Sequence, residues 1–203
     1  MKLYCATTNQ GKLREFRLAI EALSAGAWSA EPVEGFKDIP AYEETGATFE
    51  ENASGKAVYY SMHAPGLLFA DDSGLMVDAL SGAPGVHSAR YAGPHANDKT
   101  NNRLLLERLA GVADRTARFV CVAALAERGK LLKTFRGVVE GRILDAPRGS
   151  DGFGYDPLFY YPPFNCTFAE IPGERKQQVS HRGQALEAMV EYLLSRGRDA
   201  SRD

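Results

Sequence analysis

Segments of helical and strand period alternate along this chain up to about residue 109, and two long β runs then follow one another. Leu3 to Ala6 is a short strand, and Gly11 to about Leu23 is a helix with Leu13, Phe16, Ile20 and Leu23 on one face. A second helix starts at Thr48. Thr48 and Glu51 have capping-box spacing there, and Phe49, Ala53, Lys56 and Tyr60 follow at helical intervals. Leu67 to Ala70 and Leu75 to Leu80 are expected as strands on either side of an acidic turn, and Asn97 or Asp98 caps a third helix carrying Leu105, Leu106 and Leu109. Phe119 to Leu125 and Leu131 to Val139 form a hairpin through Glu127-Arg128-Gly129-Lys130. Leu186, Met189, Val190 and Leu193 define the last helix. Helices alternating with strands early and a hairpin late require an α/β fold with a mixed sheet covered by helices, not a purely parallel one. A length of 203 residues suits one domain over 1–195 with room for two lobes, followed by a mobile polar tail over 196–203.

Charge narrows the partners. A net charge of −2 leaves no basic field to hold a nucleic-acid polymer, so any nucleotide partner is free and small. Cys5, Cys121 and Cys166 are odd in number and have no metal-like spacing; Cys5 and Cys121 lie in apolar runs and are expected as buried, reduced thiols. No apolar run is long enough to span a bilayer, and the opening Met1-Lys2-Leu3-Tyr4-Cys5-Ala6 leads straight into polar residues unlike a signal peptide. The cytoplasm is the expected location.

Three clusters carry chemistry. Thr7-Thr8-Asn9-Gln10-Gly11-Lys12 joins a strand to a helix and offers hydroxyls, an amide, free backbone N–H groups and a lysine, which together suit a phosphate. It is not a Walker A loop, since Ala6 and Leu13 stand at two of its defining positions, and capping and turn formation alone also explain these residues. Asp71-Asp72-Ser73 follows an apolar strand and is expected at its carboxyl end, where adjacent carboxylates favour a hard divalent cation and Glu43-Glu44 can complete the site. A solvated turn is the bland alternative, as is a surface role for Lys56. Lys176, Ser180, His181 and Arg182 gather just ahead of the last helix, and the glycine-rich loop Gly152-Phe153-Gly154-Tyr155-Asp156 offers two rings. Donors and rings suit a flat, oxygen-bearing heterocycle, although solvated cations and core aromatics fit the same residues. Taken together, the three clusters point to a purine nucleotide.

Their combination resembles the Ham1 family of inosine triphosphate pyrophosphatases. The runs that carry the resemblance are Ala6 to Lys12, Glu43-Glu44-Thr45-Gly46, Phe49 to Ala53, Ala70 to Leu75, Gly82 to Val86, Ser88 to Tyr91, Gly152 to Pro157 and Ser180 to Ala185, in family order. Thr8, His87, Tyr155 and Arg175 depart from residues common in the family, and none removes a group the chemistry needs. The resemblance implies an elongated mixed α/β structure of two lobes with the active cleft between them, and a homodimer. It implies Mg2+-dependent hydrolysis of ITP, dITP and XTP to the monophosphate and pyrophosphate. It also implies Glu44 and Asp72 at the metal, Asp72 as proton acceptor for the attacking water, Asp71 as a supporting carboxylate, Lys56 as a neutralising charge, and Thr7 to Lys12 with Ser73 around the phosphates. Lys176, His181 and Arg182 are then donors to a 6-oxo group, with Phe153 and Tyr155 stacking on the base and Asp156 beside them. Adenine presents a 6-amino donor at that edge and leaves such donors unpaired, at about 1–3 kcal/mol each. A Maf-like pyrophosphatase acting on modified pyrimidines and a non-catalytic nucleotide sensor are the competing readings.

Overall fold

The computed structural model describes residues 1–199, with side chains through Arg196. Seven strands form one sheet: β1 (Lys2–Cys5), β2 (Ser29–Pro32), β3 (Leu68–Val77), β4 (Thr116–Glu127), β5 (Lys130–Ile143), β6 (Phe159–Tyr161) and β7 (Cys166–Thr167), in the spatial order β2-β1-β3-β4-β5-β6-β7. The sheet is mixed, as the order of periodicities requires. β1 runs parallel to β2 and β3, whereas β6 runs antiparallel to β5 and β7. Among the described residues five α-helices accompany it: α1 (Gln10–Leu23), α2 (Phe49–Ser61), α3 (Asp98–Arg108), α4 (Gly173–Val179) and α5 (His181–Asp199).

The helix starts follow their caps. Asn9 caps α1 by accepting Lys12 N–H, and Thr48 with Glu51 forms the expected capping box on α2. Asn97, not Asp98, caps α3, in a box with Thr100. Leu23, expected on the apolar face of α1, is exposed; Ser24 turns inward instead, and its Oγ accepts Trp28 N–H at 3.0 Å. α5 continues to Asp199, past the position where the polar tail was expected to begin, and residues 200–203 of that tail lie outside the described residues.

The expected acidic turn is absent, and Asp71-Asp72-Ser73-Gly74 lies inside the continuous strand β3. Asp71 and Asp72 therefore do not emerge at a strand end. They are buried, at 4% and 6% exposure, and a strand can hold carboxylates there only because cations and an amide from other elements meet them.

The chain divides into two compact units. The first comprises Met1–Asp72, Cys121–Gly137 and the chain from Arg182 onward. Its larger core packs Leu13, Phe16 and Ile20 of α1 and Leu186, Met189, Val190 and Leu193 of α5 against Leu3, Cys5, Phe69 and Cys121 of the strands. Val33, Tyr60 of α2 and Leu68 form its smaller core. Alternate residues of β1 and β3 thus feed opposite faces, as strand geometry demands. The second unit comprises Ser73–Val120 and Val138–His181, around Leu75, Val77, Leu105, Leu109, Phe119, Leu158, Phe159 and Phe168.

Candidate active site

Strand parity separates the two aspartates. Asp71 shares its face with Phe69, toward α1 and α5, while Asp72 shares the opposite face with Leu68, toward α2. The sequence expectation of two adjacent carboxylates gathered in one site is corrected by this alternation.

On the α1 side, Lys12 Nζ lies 2.8 Å from Asp71 Oδ2, and Arg182 Nε lies 3.8 Å from the same oxygen. Arg182 also donates to Glu15 of α1. Burial alone would raise the pKa of Asp71, but Lys12, Arg182 and Lys56 outweigh it and hold the carboxyl far below the usual range. Burial likewise opposes the charge of Arg182, and Glu15 and Asp71 outweigh it, so the guanidinium is held even more firmly protonated. Arg182 sits in the first turn of α5, where the helix dipole disfavours a cation; the two carboxylates offset that.

On the α2 side, Asn52 Nδ2 donates to Asp72 Oδ2 at 3.0 Å. Lys56, one turn further along α2, places Nζ 2.9 Å from Glu44 Oε1 and 3.8 Å from Asp72 Oδ1. Asp72 shifts the opposite way from Asp71. Burial raises its pKa, Lys56 and the Asn52 hydrogen bond oppose this, and Glu44 adds to the rise, leaving it above the ordinary value. Burial works against the charge of Lys56, yet Asp71, Asp72 and Glu44 keep it protonated with a raised pKa. Glu43 points into solvent and takes no part in this cluster.

Glu44 and Asp72 are the pair able to hold a hard cation. Among the described residues no group of three or more His, Cys, Asp and Glu side chains is gathered for a metal. Two carboxylates around one ammonium nevertheless fit Mg2+, which takes one or two carboxylates and completes its shell with water and substrate phosphates. The expected phosphate segment is shaped by its own capping bonds. Asn9 Oδ1 accepts Lys12 N–H at 3.0 Å and Thr7 Oγ1 accepts Asn9 N–H at 3.1 Å, while Thr8, Asn9 and Gln10 remain exposed ahead of Gly11 at the α1 N-terminus. Ser73 follows on β3, half-buried.

The second unit holds the other cluster. Lys176 and Asp156 form a buried ion pair at 2.6 Å, and the same Asp156 oxygen accepts Phe153 N–H at 2.9 Å. The ammonium lies 5.1 Å from the centroid of the Phe153 ring, which is half-buried. Gly154, in left-handed backbone, is held at both ends of its polar backbone: Asp98 accepts its N–H at 2.7 Å and Asn102 donates to its carbonyl at 3.0 Å. His181 stacks on Phe119, with ring centroids 4.7 Å apart and planes within 12°. Tyr155 is placed differently from Phe153. It is buried in the second core with its hydroxyl donating to the Ser88 carbonyl at 2.8 Å, and burial pushes that hydroxyl well up. Lys176, His181 and Arg182, read as lying ahead of a helix, instead sit on two: Lys176 in α4, and His181 and Arg182 in the first turn of α5, with extended Ser180 between them. Arg175 lies over the Phe164 ring at 4.3 Å.

Glu15 and Asn52 join these clusters without a role assigned to either from the sequence, Asn52 standing only within the run Phe49 to Ala53. Each had a faint signal, since Glu15 follows Lys12 by three and Asn52 precedes Lys56 by four, spacings that share a helix face.

Comparison with known proteins bears on what such clusters serve. The chain matches the Ham1 family over residues 3–192. A dITP/XTP pyrophosphatase of Exiguobacterium sp. is 49% identical over 194 residues, covering 96% of this chain and 97% of the relative. The solved Ham1 protein of Coxiella burnetii superimposes with a TM-score of 0.85 at 41% identity, covering 96% of this chain and 99% of that one. The Ham1 protein of Staphylococcus aureus gives 0.84 at 38% identity, covering 97% and 100%. With sequence and fold agreeing over nearly its full length, the chain belongs to the Ham1 family.

Proposed function

We propose that this protein hydrolyses non-canonical purine nucleoside triphosphates, ITP, dITP and XTP, to the monophosphate and pyrophosphate, as a Mg2+-dependent homodimer that removes them from the nucleotide pool. The observation that carries the reading is the geometry on one strand: Asp71 is closed by Lys12 at 2.8 Å, while Asp72 faces the other way and meets Asn52 at 3.0 Å and Lys56 at 3.8 Å, with Glu44 on the same ammonium at 2.9 Å.

In this mechanism Asp72 takes a proton from water as the water oxygen attacks the α-phosphorus. The bond from that phosphorus to the bridging oxygen breaks, and pyrophosphate leaves with the electron pair. Glu44 and Asp72 would hold Mg2+, which when bound would supply positive charge against the triphosphate and the departing pyrophosphate, and Lys56 adds a fixed charge beside them. Asp71 acts through others, fixing Lys12 for the phosphates and Arg182 for the base. Lys176, His181 and Arg182 present donors to the 6-oxo group, and Phe153 supplies the stacking face. Tyr155, with its hydroxyl on Ser88, supports the loop from behind.

Turnover of ITP in 18O-labelled water tests this directly. Label is expected in IMP, with unlabelled pyrophosphate released. Label in pyrophosphate would mean attack at the β-phosphorus, release of orthophosphate would mean a different bond, and no turnover would contradict the reading.

A further inference from the structure

Asn52 lies inside α2, a position where asparagine is a poor helix former, and it is 1% exposed. Its amide is used at both ends. Oδ1 accepts Gly46 N–H at 2.8 Å, and Nδ2 donates to Asp72 Oδ2 at 3.0 Å. A backbone N–H can only donate, so the atom facing Gly46 must be the oxygen and the atom facing Asp72 must be the nitrogen. Asp72 Oδ2 is thereby occupied, and Oδ1 is the oxygen on the Lys56 side.

Gly46 lies two residues after Glu44, and the segment from Gly46 to Thr48 is docked on the same helix. Ala47 N–H and Thr48 N–H both donate to Glu51 Oε2, at 2.7 and 3.2 Å, so three successive backbone donors are taken by Asn52 and Glu51. The approach is close enough that a Cβ on Gly46 would fall 2.7 Å from Asn52 Oδ1 and 2.8 Å from Glu51 Cβ. Only glycine lets the chain come this near.

We propose that Asn52 is a positioning residue that sets Asp72 against Glu44, coupling the loop that carries one carboxylate to the strand that carries the other. This rests on the assignment of that pair to the metal. Asn52 touches neither substrate nor ion; it acts by fixing the spacing and orientation of the two groups that do. Residues that orient a metal ligand in this way typically change metal affinity or activity by about 10–100-fold when removed.

The test uses the full-length protein with Asn52→Ala, Asn52→Ser and Ser61→Ala. Ser61 accepts Gly129 N–H at the far end of α2, so its loss weakens the tie between that end of the helix and the β4–β5 turn without touching the site. Mn2+ binding by electron paramagnetic resonance, without nucleotide, is measured alongside ITP kinetics. Asn52→Ala is expected to weaken Mn2+ binding about 10-fold or more and to lower kcat about 10–100-fold, with KM for ITP within about 3-fold. Ser61→Ala, at a comparable fall in Tm, is expected to keep both. Asn52→Ser leaves a hydroxyl too short to span Gly46 and Asp72, and it decides the matter if the alanine variant does not fold. Unchanged Mn2+ affinity and kcat in a folded Asn52 variant, or an equal loss in Ser61→Ala, overturns the proposal. If the wild type fails to hydrolyse ITP, the functional reading falls while the Mn2+ comparison still decides the role of Asn52.

Discussion

Asp71 and Asp72 are adjacent in the chain and opposite in behaviour, because a strand turns consecutive side chains to opposite faces and each face meets different partners. Their substitutions should separate accordingly. Asp72→Asn removes the proton acceptor and is expected to lower kcat for ITP about 10²–10⁴-fold with little change in KM. Asp71→Asn releases Lys12 and Arg182 and is expected to act chiefly on KM; steady-state kinetics on both variants separates the two effects. Lys176 offers a stability test. Lys176→Met leaves the buried Asp156 carboxyl without its ammonium, at an expected cost of about 3–5 kcal/mol in urea unfolding, and adding Asp156→Asn should recover part of it. At this scale Lys12, Lys56, Asp72 and Lys176 stood out in the sequence as candidates because unusual residue types stood in short distinctive runs. Glu15 and Asn52 did not, since an acidic or amide residue on a polar helix turn looks ordinary until its partner, 167 positions away for Glu15 and 20 for Asn52, is known.

α2 and β3 build the acidic cluster, and the sequence announced the helix better than the strand. The capping box at Thr48 and Glu51 is a local pattern, and it stands where expected. Thr48→Ala removes the acceptor for Glu51 N–H and should cost about 1 kcal/mol, read as a lower urea midpoint. β3 was broken by expectation at Asp71 to Gly74 because acidic, polar and glycine residues in succession ordinarily mark a turn. What keeps the strand continuous is non-local: Lys12 comes from α1, Arg182 from α5, and Asn52 and Lys56 from α2. Local pattern carries no information about such partners. The late hairpin was legible for the reason the strand was not, because its turn at Arg128-Gly129 is encoded in neighbouring residues.

For the whole molecule, the mixed sheet followed from the order of periodicities, whereas the boundaries of the two units had no trace in the sequence. Their boundaries fall at 72/73, 120/121, 137/138 and 181/182, inside β3, β4 and β5 and at the start of α5, so no glycine- or proline-rich linker marks them. Burial in the first unit also fixes a pH response. Cys5 and Cys121 are pushed by burial from the ordinary 9.0 up to about 12. Between those values the unfolded chain releases protons that the folded chain retains, so stability should be full below pH 9 and fall above it, by about 1.4 kcal/mol per pH unit for each thiol. Urea midpoints from pH 8 to 10.5 should show this slope, flattened in the Cys5→Ala/Cys121→Ala protein. Among the described residues no helix is long and apolar enough to cross a membrane. The central claim is tested most directly by pyrophosphate release from ITP, XTP, GTP, ATP and dTTP with Mg2+, for the wild type and Asp72→Asn. Strong turnover of ITP and XTP, lost in the variant, is the expected result; preference for ATP or dTTP, or full activity in the variant, would contradict it.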